Sequence, residues 1–241
     1  MLIVLLPAYN EERDIGALLD RIGAVMANLK LEYHVLVVND GSQDGTVGEV
    51  QKRAGRMPVE LLDHGVNKGL GQAMLTGFSR AVQLMKEKDV LVSMDSDNTH
   101  DPALIEVMLA RVEQGADLVI ASRYERGGEE VGLSRLRSFL SRGASILLGM
   151  FFPIPGARDY TCGYRAYRGS VLLKAFQQYG DRLVEERGFT CMAEILIKLS
   201  KLPVKVAEVP LVLRYDLKSG PSKMKVLRTI LRYAVLIRNN L

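Results

Sequence analysis

The sequence predicts an α/β fold, a mostly parallel sheet covered by helices on both faces, with an amphipathic extension at the C-terminal end. Three observations carry this. Short continuous apolar runs, the pattern of strands buried on both sides, punctuate the first half of the chain. Between them, apolar residues recur at helical spacing, so strand and helix alternate as a crossover-built sheet requires. With 48% of its 241 residues hydrophobic, the chain can fill one large core.

In order, residues 2–6 form the first buried strand, and Ile15, Leu18, Leu19, Ile22, Val25, Met26 and Leu29 then mark one face of a helix. Residues 34–38 and 59–62 are the second and third strands. Residues 70–85 are a helix with Ala73, Met74, Phe78, Ala81, Val82 and Met85 on one side. Residues 90–94 are the fourth strand. Pro102 can open a helix running to Val112, because its missing N–H would be unbonded in a first turn anyway. Residues 118–121 are the fifth strand. The pattern then changes. Residues 127–138 are polar and loop-like. Residues 139–152 are dense in large apolar side chains, but Arg142 and Gly143 interrupt a run already too short to span a bilayer, and Pro153 and Pro155 close it. Residues 204–213 are strand-like. Residues 224–241 are an amphipathic helix with Val226, Leu227, Ile230, Leu231, Ala234 and Val235 on one face, opposite Lys225, Arg228 and Arg232. This divides the chain into one domain over 1–213 and a basic loop with a terminal helix over 214–241.

Composition narrows the partners. Cys162 and Cys191 match no zinc or thioredoxin spacing and make no disulfide framework, which suits a reducing, cytoplasmic setting. The opening apolar run is too short for a signal core and Pro7 stops it. The net charge of +4 is unevenly spread: Arg214, Lys218, Lys223, Lys225, Arg228, Arg232 and Arg238 meet a single acid, Asp216. A basic end of this kind suits phosphate or acidic lipid, or is a solvated face. Interleaved aromatics and a nucleic-acid-binding module are missing, so no nucleic-acid partner is expected.

Ligands of open parallel sheets bind beyond the carboxyl ends of the strands. Here those ends carry Pro7-Ala8-Tyr9-Asn10-Glu11, Asn39-Asp40-Gly41-Ser42, Asp95-Ser96-Asp97 and Ser122-Arg123-Tyr124. Asp95 and Asp97 flank one small residue directly after an apolar strand. Paired carboxylates suit a hard divalent cation, Mg²⁺ or Mn²⁺, that shares its remaining ligands with a diphosphate. Asp40 either hydrogen-bonds a base or ribose or simply builds a turn with a helix cap. Tyr9 either stacks on a base or packs in the core. His100 is as readily a core or surface histidine as a contributor to the carboxylate site. Walker and dinucleotide-binding glycine patterns are missing, which argues against ATPases and dehydrogenases.

Taken in order with Asn67-Lys68-Gly69, Cys162-Gly163-Tyr164-Arg165 and Gly220-Pro221-Ser222-Lys223, these motifs resemble the inverting family-two glycosyltransferases, and within them the dolichol-phosphate (polyprenyl-phosphate) mannose synthase group. The resemblance implies a glycosyltransferase-A type, Rossmann-like fold. It implies a nucleotide-sugar site at Pro7, Tyr9, Glu11, Val38, Asp40, Asp95, Ser96, Asp97 and Arg123, with Lys223 on a closing loop, and a metal on Asp95 and Asp97. Arg123, Arg137 and Ser141 correspond to a clamp for the acceptor's phosphate, and Asp97, Arg123 and Arg137 to the catalytic set. Two positions depart from the group's pattern. Thr99 stands where a metal-binding Gln is frequent, and Leu217 where a loop arginine is usual; Arg214 or Lys218 could supply that charge.

The expected reaction moves a hexose from a nucleoside-diphosphate sugar, of the GDP-mannose or UDP-glucose type, to a polyprenyl or dolichyl phosphate. A phosphate is already anionic at neutral pH and needs no general base, so positioning and charge stabilisation carry the chemistry. Transfer to a saccharide hydroxyl and non-catalytic nucleotide-sugar binding are the alternatives. The expected location is peripheral, on the cytoplasmic face of a membrane, where a membrane-anchoring partner subunit could accompany the chain.

Overall fold

The computed structural model describes residues 1–220 and 226–240. Nine strands run in chain order as β1 (Leu2–Ala8), β2 (Tyr33–Asn39), β3 (Val59–Asp63), β4 (Val90–Ser93), β5 (Leu118–Ser122), β6 (Glu129–Val131), β7 (Arg165–Arg168), β8 (Val206–Pro210) and β9 (Val212–Arg214). The described helices are α1 (Ile15–Leu29), α2 (Thr46–Ala54), α3 (Leu70–Leu84), α4 (Leu104–Glu113), α5 (Arg135–Phe151), α6 (Gly169–Tyr179), α7 (Cys191–Ser200) and α8 (Val226–Asn240), with 3₁₀ turns at Gly180–Leu183 and Tyr215–Leu217.

The main sheet has seven strands in the order β3-β2-β1-β4-β7-β5-β8. All neighbours are parallel except β7, which runs antiparallel to both β4 and β5. The predicted α/β class holds, and each of the five strands read from apolar runs forms within a residue or two of its expected bounds. The residues of β1 from Leu2 to Leu6 are all buried, as a central strand covered on both faces demands.

The second half differs in detail from expectation. The single strand expected over 204–213 is two, because Leu211 turns the chain out of the main sheet and β9 pairs with β6 in a separate two-stranded ribbon. Its β6 lies inside the stretch 127–138 that reads as a polar loop. β7 reads as polar because arginines begin and end it, yet Arg165 is completely buried, donating from Nη1 to the carbonyl of Met192 at 2.7 Å and from Nη2 to that of Tyr160 at 2.9 Å. Helix α5 turns Ser145 and Leu148 inward and leaves Leu136, Phe139, Ile146, Leu147, Met150 and Phe151 exposed. Helix α8 lies against α5 and buries Tyr233, Leu236 and Ile237, and Arg232 pairs with Glu186 at 2.6 Å. Of the apolar face read from the sequence, Leu231 is 70% exposed, Ala234 is exposed and Val235 is half-buried. Among the described residues no helix is long and apolar enough to cross a membrane.

Candidate functional site

The ends of β1 and β2 are knitted together by polar side chains. Asn10, in the left-handed region at φ 53°, donates its N–H to Ser42 Oγ at 2.9 Å and accepts the Gln43 N–H at 2.8 Å. The Glu11 N–H donates to Thr46 Oγ1 at 2.8 Å, at the start of α2. Asp40 is buried and faces the 64–69 segment. It pairs with His64 at 2.9 Å and accepts the N–H groups of Lys68 at 2.8 Å and Gly69 at 2.9 Å. The approach needs a glycine next to it: Gly41 has φ 71°, and a β-carbon there would lie 2.3 Å from the carbonyl carbon of Val66. Tyr9 and Pro7 are half-buried at the rim, whereas the Val38 side chain is sealed in the core.

Ser96 is buried and donates to the Pro7 carbonyl at 2.9 Å, locking the end of β4 to that of β1. His100 is also buried. It stacks on Tyr164 at 5.0 Å and accepts the Asp95 N–H on Nδ1 at 3.1 Å, which leaves the ring proton on Nε2, 3.9 Å from Asp95 Oδ2. His100 thus belongs to the core and orients Asp95. Asp97 accepts from Thr99 Oγ1 at 2.7 Å on one oxygen and from the Lys218 ammonium on the other. Burial works to raise the Asp97 carboxyl, but the charge and hydrogen bond of Lys218, with that of Thr99, outweigh it and hold the pKa below its ordinary value.

Lys218 arrives on the segment that follows β9. The Arg214 N–H donates to the Thr99 carbonyl at 3.0 Å, and Ser219 Oγ donates to Asp14 at 2.7 Å. Of the two candidates for the loop's missing arginine, Lys218 reaches the carboxylate pair; the Arg214 guanidinium turns away onto Asp216 at 2.7 Å. Lys223 lies outside the described residues.

Arg123, at the end of β5, is the centre of a second cluster. All five of its N–H groups are used. Nε and Nη2 grip Asp159 at 2.8 and 2.7 Å, Nη2 also meets Thr161 Oγ1 at 2.7 Å, and Nη1 meets Ser141 Oγ at 3.0 Å and Glu130 at 3.2 Å. Arg123 and Ser141 therefore come together as the sequence implies. Arg137 sits one turn before Ser141 on α5, donates to the Tyr215 hydroxyl at 2.9 Å, and lies 5.1 Å from that ring's centre. Burial raises the pKa of the Asp95 carboxyl above its ordinary value, against the opposing charges of Lys218 and Arg123. Asp159, Glu130 and Thr161 were invisible to sequence reasoning. The available signal was that a strand-end arginine bound for a buried position needs carboxylate partners.

Among the described residues no three or more His, Cys, Asp or Glu side chains converge into a complete metal cage. Asp95 and Asp97 alone supply hard oxygen ligands, which fits a cation whose other ligands come from a diphosphate and water. A positive charge, that of Lys218, already rests on Asp97.

The sequence profile described as Glycosyl transferase family 2 matches residues 3–176. The chain belongs to this family. Among curated relatives of this family-2 glycosyltransferase, a dolichol-phosphate mannosyltransferase of Pyrococcus furiosus is 33% identical over 95% of the chain and 60% of that protein. A polyprenol monophosphomannose synthase of Mycolicibacterium smegmatis is 33% identical over 92% of the chain and 80% of that protein. An undecaprenyl-phosphate mannosyltransferase of Micrococcus luteus is 32% identical over 92% of the chain and 86% of that protein. The chain thus spans well under two thirds of the archaeal relative and most of the two bacterial ones. Among solved structures, glucosyl-3-phosphoglycerate synthase of Mycobacterium tuberculosis with Mn²⁺, UDP-glucose and phosphoglyceric acid superposes with a TM-score of 0.70 at 17% identity, over 100% of the chain and 79% of that protein. The same protein with Mg²⁺ and UDP gives 0.67 at 18% identity, over 97% of the chain and 79% of that protein. This likeness establishes the glycosyltransferase-A type fold of the family-2 transferase.

Proposed function

We propose that this family-2 transferase moves a hexose from a nucleoside-diphosphate sugar, of the GDP-mannose or UDP-glucose type, to a polyprenyl or dolichyl phosphate, with inversion at the anomeric carbon. The observation that carries this reading is that one helix does two jobs. Helix α5 brings Ser141 to Arg123 and carries Arg137, while an exposed apolar ridge runs along it, with Phe139 74% and Met150 75% exposed. A phosphate-binding group beside an apolar surface is what an acceptor with a charged head and a hydrocarbon tail needs. The relatives named for dolichol, polyprenol and undecaprenyl phosphates support the same acceptor class.

In this reading Pro7, Tyr9, Glu11, Val38 and Asp40 frame the nucleotide, the buried Val38 and Asp40 by holding the β2 end and the 64–69 segment in shape. Asp95 and Asp97, spaced by Ser96, hold the diphosphate's divalent cation, Mg²⁺ or Mn²⁺. Bound there, the cation neutralises the departing nucleoside diphosphate. Lys218 adds positive charge from the closing segment. Arg123, Arg137 and Ser141 hold the incoming phosphate for in-line attack. Its own charge makes it the nucleophile, and a general base is unnecessary. Residues 1–213 act as the catalytic domain and 214–241 as the basic extension that closes over it.

The deciding experiment incubates the protein with radiolabelled nucleotide sugars and either a polyprenyl phosphate or a soluble saccharide, and identifies the product. Label is expected in the lipid. Arg137→Ala should raise KM for the lipid phosphate at least tenfold, the loss of one charge-assisted contact of about 1.5–3 kcal/mol, with donor affinity by calorimetry little changed. Label in the saccharide alone overturns the acceptor.

The same surface supports a peripheral location, which we propose to be on the cytoplasmic face of a membrane. The α5 ridge, Leu231 and the basic extension combine apolar area with positive charge, the pattern of an interfacial anchor. Co-sedimentation with liposomes is expected to rise with anionic lipid, to fall with salt, and to drop sharply for Phe139→Glu combined with Met150→Glu. Protein that stays in the supernatant with anionic vesicles at low salt overturns the membrane reading.

A further inference from the structure

Arg123 carries one positive charge and faces two carboxylates, Asp159 and Glu130. That cluster is net negative, and every guanidinium N–H in it is already bonded. A phosphate meets net repulsion at Arg123 while both carboxylates stay, and net attraction once one of them leaves.

The two carboxylates are held very differently. Asp159 is fully buried and accepts from Nε and Nη2 of Arg123, from the Arg123 backbone N–H at 3.2 Å, from the N–H and hydroxyl of Thr161, and from the Cys162 N–H at 3.1 Å. Glu130 has two partners, Arg123 Nη1 at 3.2 Å and the Ser138 hydroxyl. Its backbone belongs to β6, a three-residue strand held only in the small ribbon with β9. Three groups that suit an anion, Arg123, Ser138 and Ser141, converge around or beside the Glu130 carboxylate. Arg142 lies 5.7 Å from the ring of Tyr124, which itself bonds Ser141 at 3.2 Å, so further positive charge borders the place Glu130 fills.

We propose that Glu130 is a carboxylate stand-in for the acceptor's phosphate, and that a phosphate monoester enters the clamp by displacing it from Arg123 and Ser138. The inference rests on the reading of Arg123 and Ser141 as a phosphate clamp. It makes Glu130 a specificity-determining residue. Inorganic phosphate must displace a carboxylate with charge alone and gains little by the exchange. A prenyl phosphate brings the burial of its tail as well, roughly 0.8 kcal/mol per buried CH₂ group, and can drive the displacement. Glu130 thus keeps abundant soluble phosphates out of a site built for a lipid headgroup.

The test compares wild type, Glu130→Gln and Glu130→Ala in two arms. One arm measures inorganic phosphate binding by calorimetry, which needs no turnover; the other measures KM and kcat with farnesyl phosphate in detergent. Glutamine keeps the shape and removes the charge. Glu130→Gln is expected to bind inorganic phosphate about tenfold more tightly, equivalent to about 1.4 kcal/mol, and to lower KM for farnesyl phosphate by less than that, so selectivity for the lipid falls. A merely structural Glu130 predicts the reverse: weaker phosphate binding and higher KM in Glu130→Ala, with Glu130→Gln restoring wild-type values. That result, or unchanged phosphate affinity in Glu130→Gln, overturns the proposal while farnesyl phosphate turnover keeps the acceptor reading alive. Tighter phosphate binding in Glu130→Gln with no farnesyl phosphate turnover in any variant supports the stand-in and overturns the acceptor instead.

Discussion

Asp97→Asn is expected to lower kcat by on the order of 10²–10³, the usual loss when a preorganised electrostatic contact to a transition state is removed. The side chain is buried and bridges Thr99 and Lys218, so a change of charge there alters the proposed diphosphate site without changing its shape. The fold should survive. Lys218, the partner left behind, keeps the amide oxygen as an acceptor and feels the charges of Asp95 and Glu11, so it is not a stranded buried charge. Thermal melts should therefore lie close to wild type while turnover collapses. Excess chelator should abolish wild-type activity, and Mn²⁺ binding followed by calorimetry should weaken in the variant. Full turnover in chelator would remove the divalent cation from the proposed mechanism.

The opposite balance is expected for Asp159→Ala, which should destabilise the protein by about 3–5 kcal/mol, the typical result of breaking a buried ion pair from one side. Arg123 cannot escape to solvent, because Thr161, Ser141 and Glu130 enclose it. For a chain of this size the loss corresponds to a fall in Tm on the order of 10 °C. Burial works to raise the Asp159 carboxyl, but the Arg123 charge and the hydrogen bonds around it win, so its pKa is lowered in the folded protein. The stability this contributes is complete above the unfolded-state pKa of about 3.9 and is lost as pH falls through the lower folded value. Acid denaturation of the wild type should show that loss below about pH 4, and Asp159→Asn should flatten it. A Tm within a degree of wild type for Asp159→Ala would show that Arg123 does not depend on this partner.

The two variants separate residues that the sequence makes readable from those it hides. Asp95, Asp97 and Arg123 each directly follow an apolar strand, and the rule that ligands gather at strand ends picks them out before any coordinates exist. Asp159 comes from a loop and Glu130 from the short strand β6 within a stretch that reads as polar loop, and only folding sets them on Arg123. The same contrast divides the fold. Strands β1 to β5 announce themselves because both faces are apolar. Helix α2 buries only Thr46 and Val50, too few positions to show a period. Helix α7 hides for the contrary reason: from Cys191 to Leu199 every residue is buried, including Glu194 and Lys198, which pair at 2.7 Å, so no polar face marks it. Strand β7 is lost because its ends are arginines whose charge is satisfied by carbonyls and carboxylates elsewhere in the chain.

The reversed strand β7 also sets an order of events during synthesis. Strands β1 to β4 lie side by side and come from the first ninety-odd residues, so that half of the sheet can assemble as soon as it leaves the ribosome. Strand β5 emerges next but has no place on the growing edge. It neighbours only β7 and β8, and β7 begins roughly seventy residues after β4 ends. At about 5–20 residues per second, the β4 edge and the apolar β5 wait several seconds for their common neighbour. During that interval both present unpaired backbone to other nascent chains, an exposure that ends when β7 fills the gap between them.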